Sequence, residues 1–195
     1  MQFKIKSASI NISFSFFVFF LFCVLSDKTD FYLKSLFVSL IHETVHIVCI
    51  IYFGESVSEI SFNIFGGKIE KTNRIILSNK KEAFINLSAP VFNVLVGIVS
   101  LVVFDASSWG YINLFTGIFN LLPFYNFDGG RGIFFLLSEK IDFCTSEKIL
   151  FCISLVISLF FIVISFVLYS YNKTNFAFIL MSLYMIVSLF LFRNL

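Results

Sequence analysis

Two histidines and a glutamate lie within five consecutive residues, His42-Glu43-Thr44-Val45-His46. On an α-helix, residues four apart share a face and are separated by about 6 Å of rise, so both imidazoles can reach one metal ion. Glu43 follows the first histidine and can act on a metal-bound water without being a ligand. A simpler interpretation is a pair of histidines hydrogen-bonded inside a helical bundle, but the chain contains no other histidine.

A second acidic residue, Asp128, lies in the segment Asn-Leu-Leu-Pro-Phe-Tyr-Asn-Phe-Asp-Gly-Gly-Arg over residues 120–131, where proline and glycine interrupt an apolar stretch. An acidic side chain in a bilayer costs about 2.5 kcal/mol or more, so such residues are functional candidates. A proline kink followed by a turn would explain Pro123 and the glycines but not the carboxylate. Two histidines and one aspartate would hold Zn²⁺ and leave its fourth position open to water.

The composition indicates which elements must position these residues. Of the 195 residues, 58% are apolar and only 13% are charged, which excludes an ordinary soluble domain and indicates a membrane protein. The sequence predicts an all-α polytopic membrane protein with about six transmembrane helices, each able to cross about 30 Å of hydrocarbon. The predicted spans are residues 8–26, 31–53, 83–104, 110–137, 149–169 and 175–192, of which 110–137 is too long and too interrupted for one straight helix.

The polar segment 54–82 between the second and third spans is more than a linker. Residues 58–64 alternate polar and apolar side chains, and Gly66-Gly67 offers a tight turn before a second short run, which predicts a β-hairpin. We expect this hairpin at the cytoplasmic surface. Its edge could take up a substrate segment as an added strand; a merely amphipathic surface loop is the alternative.

The positions of lysine and arginine predict the topology. With the N-terminus inside, every basic residue except Lys28, Lys34 and Lys173 lies on the cytoplasmic side. Both termini are then cytoplasmic, and the candidate metal site lies nearer that side. The first span could instead be a cleaved secretory signal, but its apolar run is longer than a typical signal core. The net charge of +2 comes from scattered retention signals and gives no indication of nucleic-acid binding.

Together, the His-Glu-x-x-His motif and the Asn-x-x-Pro-x-x-x-x-Asp-Gly-Gly motif of residues 120–130 resemble the site-2 protease family of intramembrane zinc metalloproteases. The nearest branch is the six-helix bacterial type, exemplified by the sporulation protease that processes a membrane-associated sigma-factor precursor. The resemblance covers residues 31–137, the expected catalytic core of a single membrane domain over 1–195. The segments 8–26, 149–169 and 175–192 would be additional helices.

The resemblance implies a role for each matching residue. His42, His46 and Asp128 would bind Zn²⁺, and Glu43 would be the general base. Asn120 and Pro123 would shape the substrate groove, and Asn93 would contact the substrate strand. The list of implied substrate-binding residues is therefore Asn93, Asn120 and Pro123.

The resemblance further implies hydrolysis of a peptide bond in or near a transmembrane segment of a membrane-tethered protein, possible examples being a sigma-factor precursor or an anti-sigma factor. We expect the chain to reside in the bacterial cell membrane. A transporter of divalent cations is an alternative, but it predicts ionisable residues along several helices, and the first, fifth and sixth predicted spans contain none. A catalytically silent scaffold is a third possibility, but it predicts a damaged catalytic position, and none is seen.

Overall fold

The computed structural model of the chain describes residues 2–5, 8–27, 29–63, 66–72, 76–104, 107–171 and 176–191. These residues form helices together with a small four-stranded sheet. Three helices, α2, α3 and α6, are long and apolar enough to cross a membrane. In chain order the helices are α1 (Phe14–Ser26), α2 (Phe31–Tyr52), α3 (Asn79–Phe104), α4 (Ser108–Leu121), α5 (Asp128–Ser138), α6 (Phe143–Ser170) and α7 (Phe176–Leu191).

The sheet contains two hairpin-like pairs joined side by side. Antiparallel pairing joins β1 to β2 and β3 to β4, whereas β2 and β3 are parallel, with Ile10 opposite Ile60. The parallel pair requires a long crossover, which α1 and α2 supply. The strands are β1 (Gln2–Ile5), β2 (Ala8–Ile12), β3 (Val57–Asn63) and β4 (Gly66–Lys71).

The chain divides into two compact parts, of which the first is Met1–Asn120. In this part, an apolar cluster of Ile50, Val57 and Ile85 joins the end of α2 to β3 and to the start of α3. The backbones of α3 and α4 approach closely, because a Cβ added at Gly117 would lie 2.7 Å from the carbonyl oxygen of Pro90. Small residues allow such close helix contacts inside membranes.

The second part, Leu121–Leu195, contains α5, α6 and α7. The rings of Phe134 and Phe143 pack edge to face at 4.8 Å between centroids, which fixes the turn from α5 to α6. Buried serines line one face of α6, and the hydroxyl groups of Ser154, Ser158 and Ser165 donate to carbonyl oxygens one turn earlier. This pattern satisfies those hydroxyl groups within the helix itself, whereas the hydroxyl of Ser146 has no hydrogen-bond partner in the described part of the chain. The buried serines of α6 are Ser146, Ser154, Ser158 and Ser165.

The predicted all-α membrane fold with a hairpin after the second helix is confirmed, but the start of the first span and the position of the hairpin turn differ from the prediction. Residues 8–12 form β2 instead of the start of the first span, which leaves α1 with 13 residues, about 20 Å in length. The interruption of the 110–137 segment is real, since α4 and α5 are separate helices. Gly66 and Gly67 lie inside β4 rather than at the turn, with Gly67 opposite Phe62.

Candidate metal centre

The two histidines occupy the buried face of α2. His42 and His46 are 4% and 7% exposed, on the same face as Val38 and Ile50. Their rings meet edge to face with centroids 4.9 Å apart. Four-residue spacing on a helix explains this arrangement, because it returns the side chain to the same face one turn later.

A carbonyl of α3 orients the second imidazole. His46 Nδ1 lies 2.8 Å from the carbonyl oxygen of Ile85. A carbonyl can only accept a hydrogen bond, so Nδ1 carries a proton, and in the neutral imidazole Nε2 then keeps its lone pair. Metal-binding histidines are commonly held in this way, by a hydrogen bond from the nitrogen that does not bind the ion. His46 is therefore prepared to bind a metal through Nε2.

The half-buried Glu43 lies directly against the β4 strand. A Cβ added at Gly67 would lie 2.7 Å from Glu43 Oε1 and 2.9 Å from its Cδ. The missing side chain at position 67 thus makes room for the carboxylate. The sequence placed Gly67 at a turn and missed this contact, because nothing in the local pattern indicates which distant residue a strand glycine faces.

Polar contacts at the C-terminal end of β4 connect this strand to the first turn of α3 and to the start of β3. Lys71 Nζ lies 2.5 Å from both carboxylate oxygens of Glu82, and both side chains are largely buried. The backbone N–H of Thr72 donates to the carbonyl of Ser56 at 2.9 Å. These contacts restrict the movement of the strand that carries Gly67.

Asp128 is the first residue of α5, directly after the non-helical loop 122–127. Gly129 and Gly130 follow it and are buried. A Cβ at Gly129 would overlap the carbonyl of Leu121, the last residue of α4, and a Cβ at Gly130 would overlap the carbonyl of Phe124 in the loop. The loop and the first turn of α5 therefore pack backbone against backbone. Only glycine permits this close approach of two backbone segments. The packing holds the backbone of Asp128 in a fixed position beside the loop.

His42, His46 and Asp128 each offer one ligand atom, and these atoms all lie within 4.8 Å of one another. The three side chains could therefore hold a metal ion. Two imidazole nitrogens and one carboxylate oxygen are a donor set that suits Zn²⁺ in a catalytic site with an open position. The tautomer of His46 and the two-nitrogen, one-oxygen donor set are both compatible with Zn²⁺, the ion that the sequence predicts.

The predicted substrate-binding residues have different surroundings. Asn93 is fully buried on α3, and neither atom of its amide has a hydrogen-bond partner in the described part of the chain. Asn120 donates from Nδ2 to the carbonyl of Thr116 at 3.1 Å, within α4. Pro123 is half-buried in the loop that precedes Asp128. A binding role for these residues stays a prediction.

No protein-family model matches the sequence, and no curated protein matches it. Among solved structures, the chain is similar to the site-2 protease from Methanocaldococcus jannaschii, with a TM-score of 0.66 and 23% sequence identity. The similarity covers 97% of this chain and 93% of that chain. This chain therefore has the fold of a site-2 protease.

Proposed function

We propose that this protein is an intramembrane zinc metalloprotease that hydrolyses a peptide bond within or near a transmembrane segment of a membrane-tethered protein. The observation that carries the proposal is the grouping of His42, His46 and Asp128, with Glu43 next to the first histidine. The similarity of fold to a site-2 protease supports the same activity.

In this proposal His42, His46 and Asp128 would hold Zn²⁺, which when bound would supply Lewis-acid chemistry to the scissile carbonyl and to water. Glu43 accepts a proton from the attacking water and delivers it to the nitrogen of the leaving amine. The hydrogen bond from His46 to Ile85 keeps the imidazole in one orientation through the cycle. The contact of Gly67 with Glu43 sets where the base lies.

The substrate is proposed to bind as an unwound segment, since a helix hides its peptide carbonyls in its own hydrogen bonds. Within the β3–β4 hairpin, β3 is already paired with β2 on its other side, so the edge that the hairpin offers for strand addition belongs to β4. We include Asn93, Asn120 and Pro123 as substrate contacts. The buried amide of Asn93 can pair with a peptide group, and this would offset the cost of its burial.

The setting of the reaction is part of the proposal. The protein would be a multi-pass protein of the bacterial cell membrane with both termini in the cytoplasm, and its site would lie nearer that side. A tethered transcriptional regulator, such as a sigma-factor precursor or an anti-sigma factor, is the substrate class that the motif resemblance favours. A role in sporulation belongs to the same proposal.

The decisive experiment combines metal content with cleavage. Zinc per polypeptide is measured in detergent-purified unmodified protein and in the Asp128→Ala, Glu43→Gln and Asp27→Asn variants. We expect about one zinc in the unmodified protein and in Glu43→Gln, loss of zinc in Asp128→Ala, and no change in Asp27→Asn, the control outside the site. Cleavage of a set of single-span reporter proteins in proteoliposomes should occur only in the unmodified and control proteins.

Two results would overturn the proposal. One is full zinc occupancy without the Asp128 carboxylate. The other is cleavage by Glu43→Gln at the rate of the unmodified protein. Uptake of radioactive zinc by the proteoliposomes without reporter cleavage would instead indicate a transporter.

A further inference from the structure

The loop that leads into Asp128 is held from α6 by a main-chain hydrogen bond. The backbone N–H of Tyr125 donates to the hydroxyl oxygen of Ser154 at 2.9 Å. Ser154 is fully buried, and its own hydroxyl donates to the carbonyl of Leu150 at 2.8 Å, which leaves its lone pairs for the loop. The side chain of Ser154 on α6 thus accepts the backbone N–H of Tyr125, which lies in a non-helical loop.

A second bond joins the same loop residue to the same helix. The phenol of Tyr125 donates to Glu147 Oε1 at 3.1 Å. Glu147 and Ser154 are seven residues apart, which places them two turns apart on one face of α6. Backbone and side chain of Tyr125 are therefore both fixed to a single rigid element.

The loop transmits this position to the metal ligand through short, packed contacts. The N–H of Phe127 donates to the carbonyl of Phe124 at 2.9 Å, and their rings lie 4.9 Å apart. Phe124 is fully buried, and its backbone packs against Gly130 in the first turn of α5. Asp128 lies between Phe127 and Gly130, so a displacement of Tyr125 displaces the carboxylate as well.

We infer that Ser154 and Glu147 are positioning residues for Asp128, acting through Tyr125 to set where the carboxylate meets the metal. This inference rests on the proposed metalloprotease function. Removing a hydrogen-bond partner of a metal ligand typically weakens metal binding by about 10- to 100-fold. Ser154 and Glu147 act one step further from the metal, through Tyr125, so the Ser154→Ala and Glu147→Ala variants should lose zinc affinity by about 10-fold, the lower end of that range.

The test compares Ser154→Ala, Tyr125→Phe, Glu147→Ala and Glu147→Gln with a matched control, Ser158→Ala. Ser158 is also a buried serine of α6, but its hydroxyl donates at 2.8 Å to the carbonyl of Ser154 and has no bond to the loop. Three quantities are measured. They are the zinc dissociation constant by chelator competition, the visible spectrum of the Co²⁺-loaded protein, and amide hydrogen exchange of residues 121–127 without metal.

We expect a zinc dissociation constant raised by about 10-fold in Ser154→Ala, Tyr125→Phe and Glu147→Ala. Their Co²⁺ spectra should change and their loop exchange should accelerate. Glu147→Gln should restore affinity because its amide oxygen still accepts from Tyr125. Ser158→Ala should match the unmodified protein in all three measurements.

Affinity and Co²⁺ spectra equal to those of Ser158→Ala would overturn the inference. If Ser154→Ala does not fold, Tyr125→Phe and the two Glu147 variants give the same answer at half-buried positions. If the unmodified protein binds no zinc, the proposed function fails. Amide hydrogen exchange of the loop in metal-free protein still tests whether Ser154 and Glu147 hold the loop through Tyr125. Equal exchange rates in all variants would overturn this part of the inference as well.

Discussion

Replacing Gly67 by alanine should abolish most of the cleavage activity while the fold and the metal content stay intact. The new Cβ would lie 2.7 Å from Glu43 Oε1, whereas ordinary contact begins at 3.4 Å. The carboxylate must therefore retreat by about 0.7 Å. It is the mobile end of a flexible side chain, so this movement takes little free energy and leaves the backbones of α2 and β4 in place.

The magnitude follows from the sensitivity of catalysis to position. A misplacement of about 1 Å in a reacting group can reduce a rate by about 100-fold. For a shift of about 0.7 Å we expect kcat/KM to fall by between about 10-fold and 100-fold, which corresponds to about 1.4 to 2.7 kcal/mol in the activation free energy. Zinc per polypeptide and the unfolding temperature should equal those of the unmodified protein.

The assay measures single-span reporter cleavage in proteoliposomes, with zinc content and thermal unfolding determined on the same preparations. Glu70→Ala is the matched control, since it changes an exposed residue of β4 whose side chain points to the opposite face from position 67. Glu43→Asp, which shortens the base, should reduce activity alone but add less than its full effect in the Gly67→Ala background, because both changes act at one contact. Unchanged kcat/KM in Gly67→Ala, or a loss that parallels zinc content, would refute the reasoning.

Four further outcomes test other parts of the structure. Gly117→Ala should lower stability by about 1 to 3 kcal/mol in thermal unfolding, because its Cβ would meet the backbone of α3, which cannot retreat. Lys71→Glu and Glu82→Lys should each accelerate hydrogen exchange in β4, and the double exchange should restore protection. Asn93→Ala should raise KM for the reporters without changing zinc content; unchanged KM would remove Asn93 from the substrate site. A backbone hydrogen bond from Thr145 holds the pKa of Asp142 below its ordinary value, so the charged carboxylate stabilises the fold at neutral pH. Thermal unfolding should therefore show the unmodified protein to be more stable than Asp142→Asn at neutral pH. This difference should disappear as the pH falls through the lowered pKa.

The sequence could predict the parts of the fold that depend on local spacing. The His-Glu-x-x-His spacing placed His42 and His46 on one helical face, and the alternating residues 58–64 indicated a strand. The start of the first span was wrong because residues 8–12 are apolar enough to extend a helix. They form a strand instead, paired with β1 on one side and, on the other, in parallel with β3, about 50 residues away. Such pairing depends on partners that no local window contains.

The same limit applies to the residues that support the candidate metal centre. The order of motifs predicted Asp128 as a ligand, yet nothing near it in the sequence indicates that α6 would hold its loop through Ser154 and Glu147. Serines spaced along an apolar helix usually bond to their own backbone, as Ser158 does. Only the folded chain shows that one of them also accepts from Tyr125.

The glycines at the candidate metal centre have two different structural roles, although in the sequence all of them look like breakers of regular structure. At Gly129 and Gly130 an added methyl would meet backbone carbonyls, which cannot move without displacing the loop. At Gly67 it would meet the carboxylate of Glu43, which can move. Substitution at the first two positions should therefore remove fold, metal and activity together, whereas substitution at Gly67 separates activity from the other two. The atom that a missing side chain would have touched decides whether a glycine serves folding or catalysis.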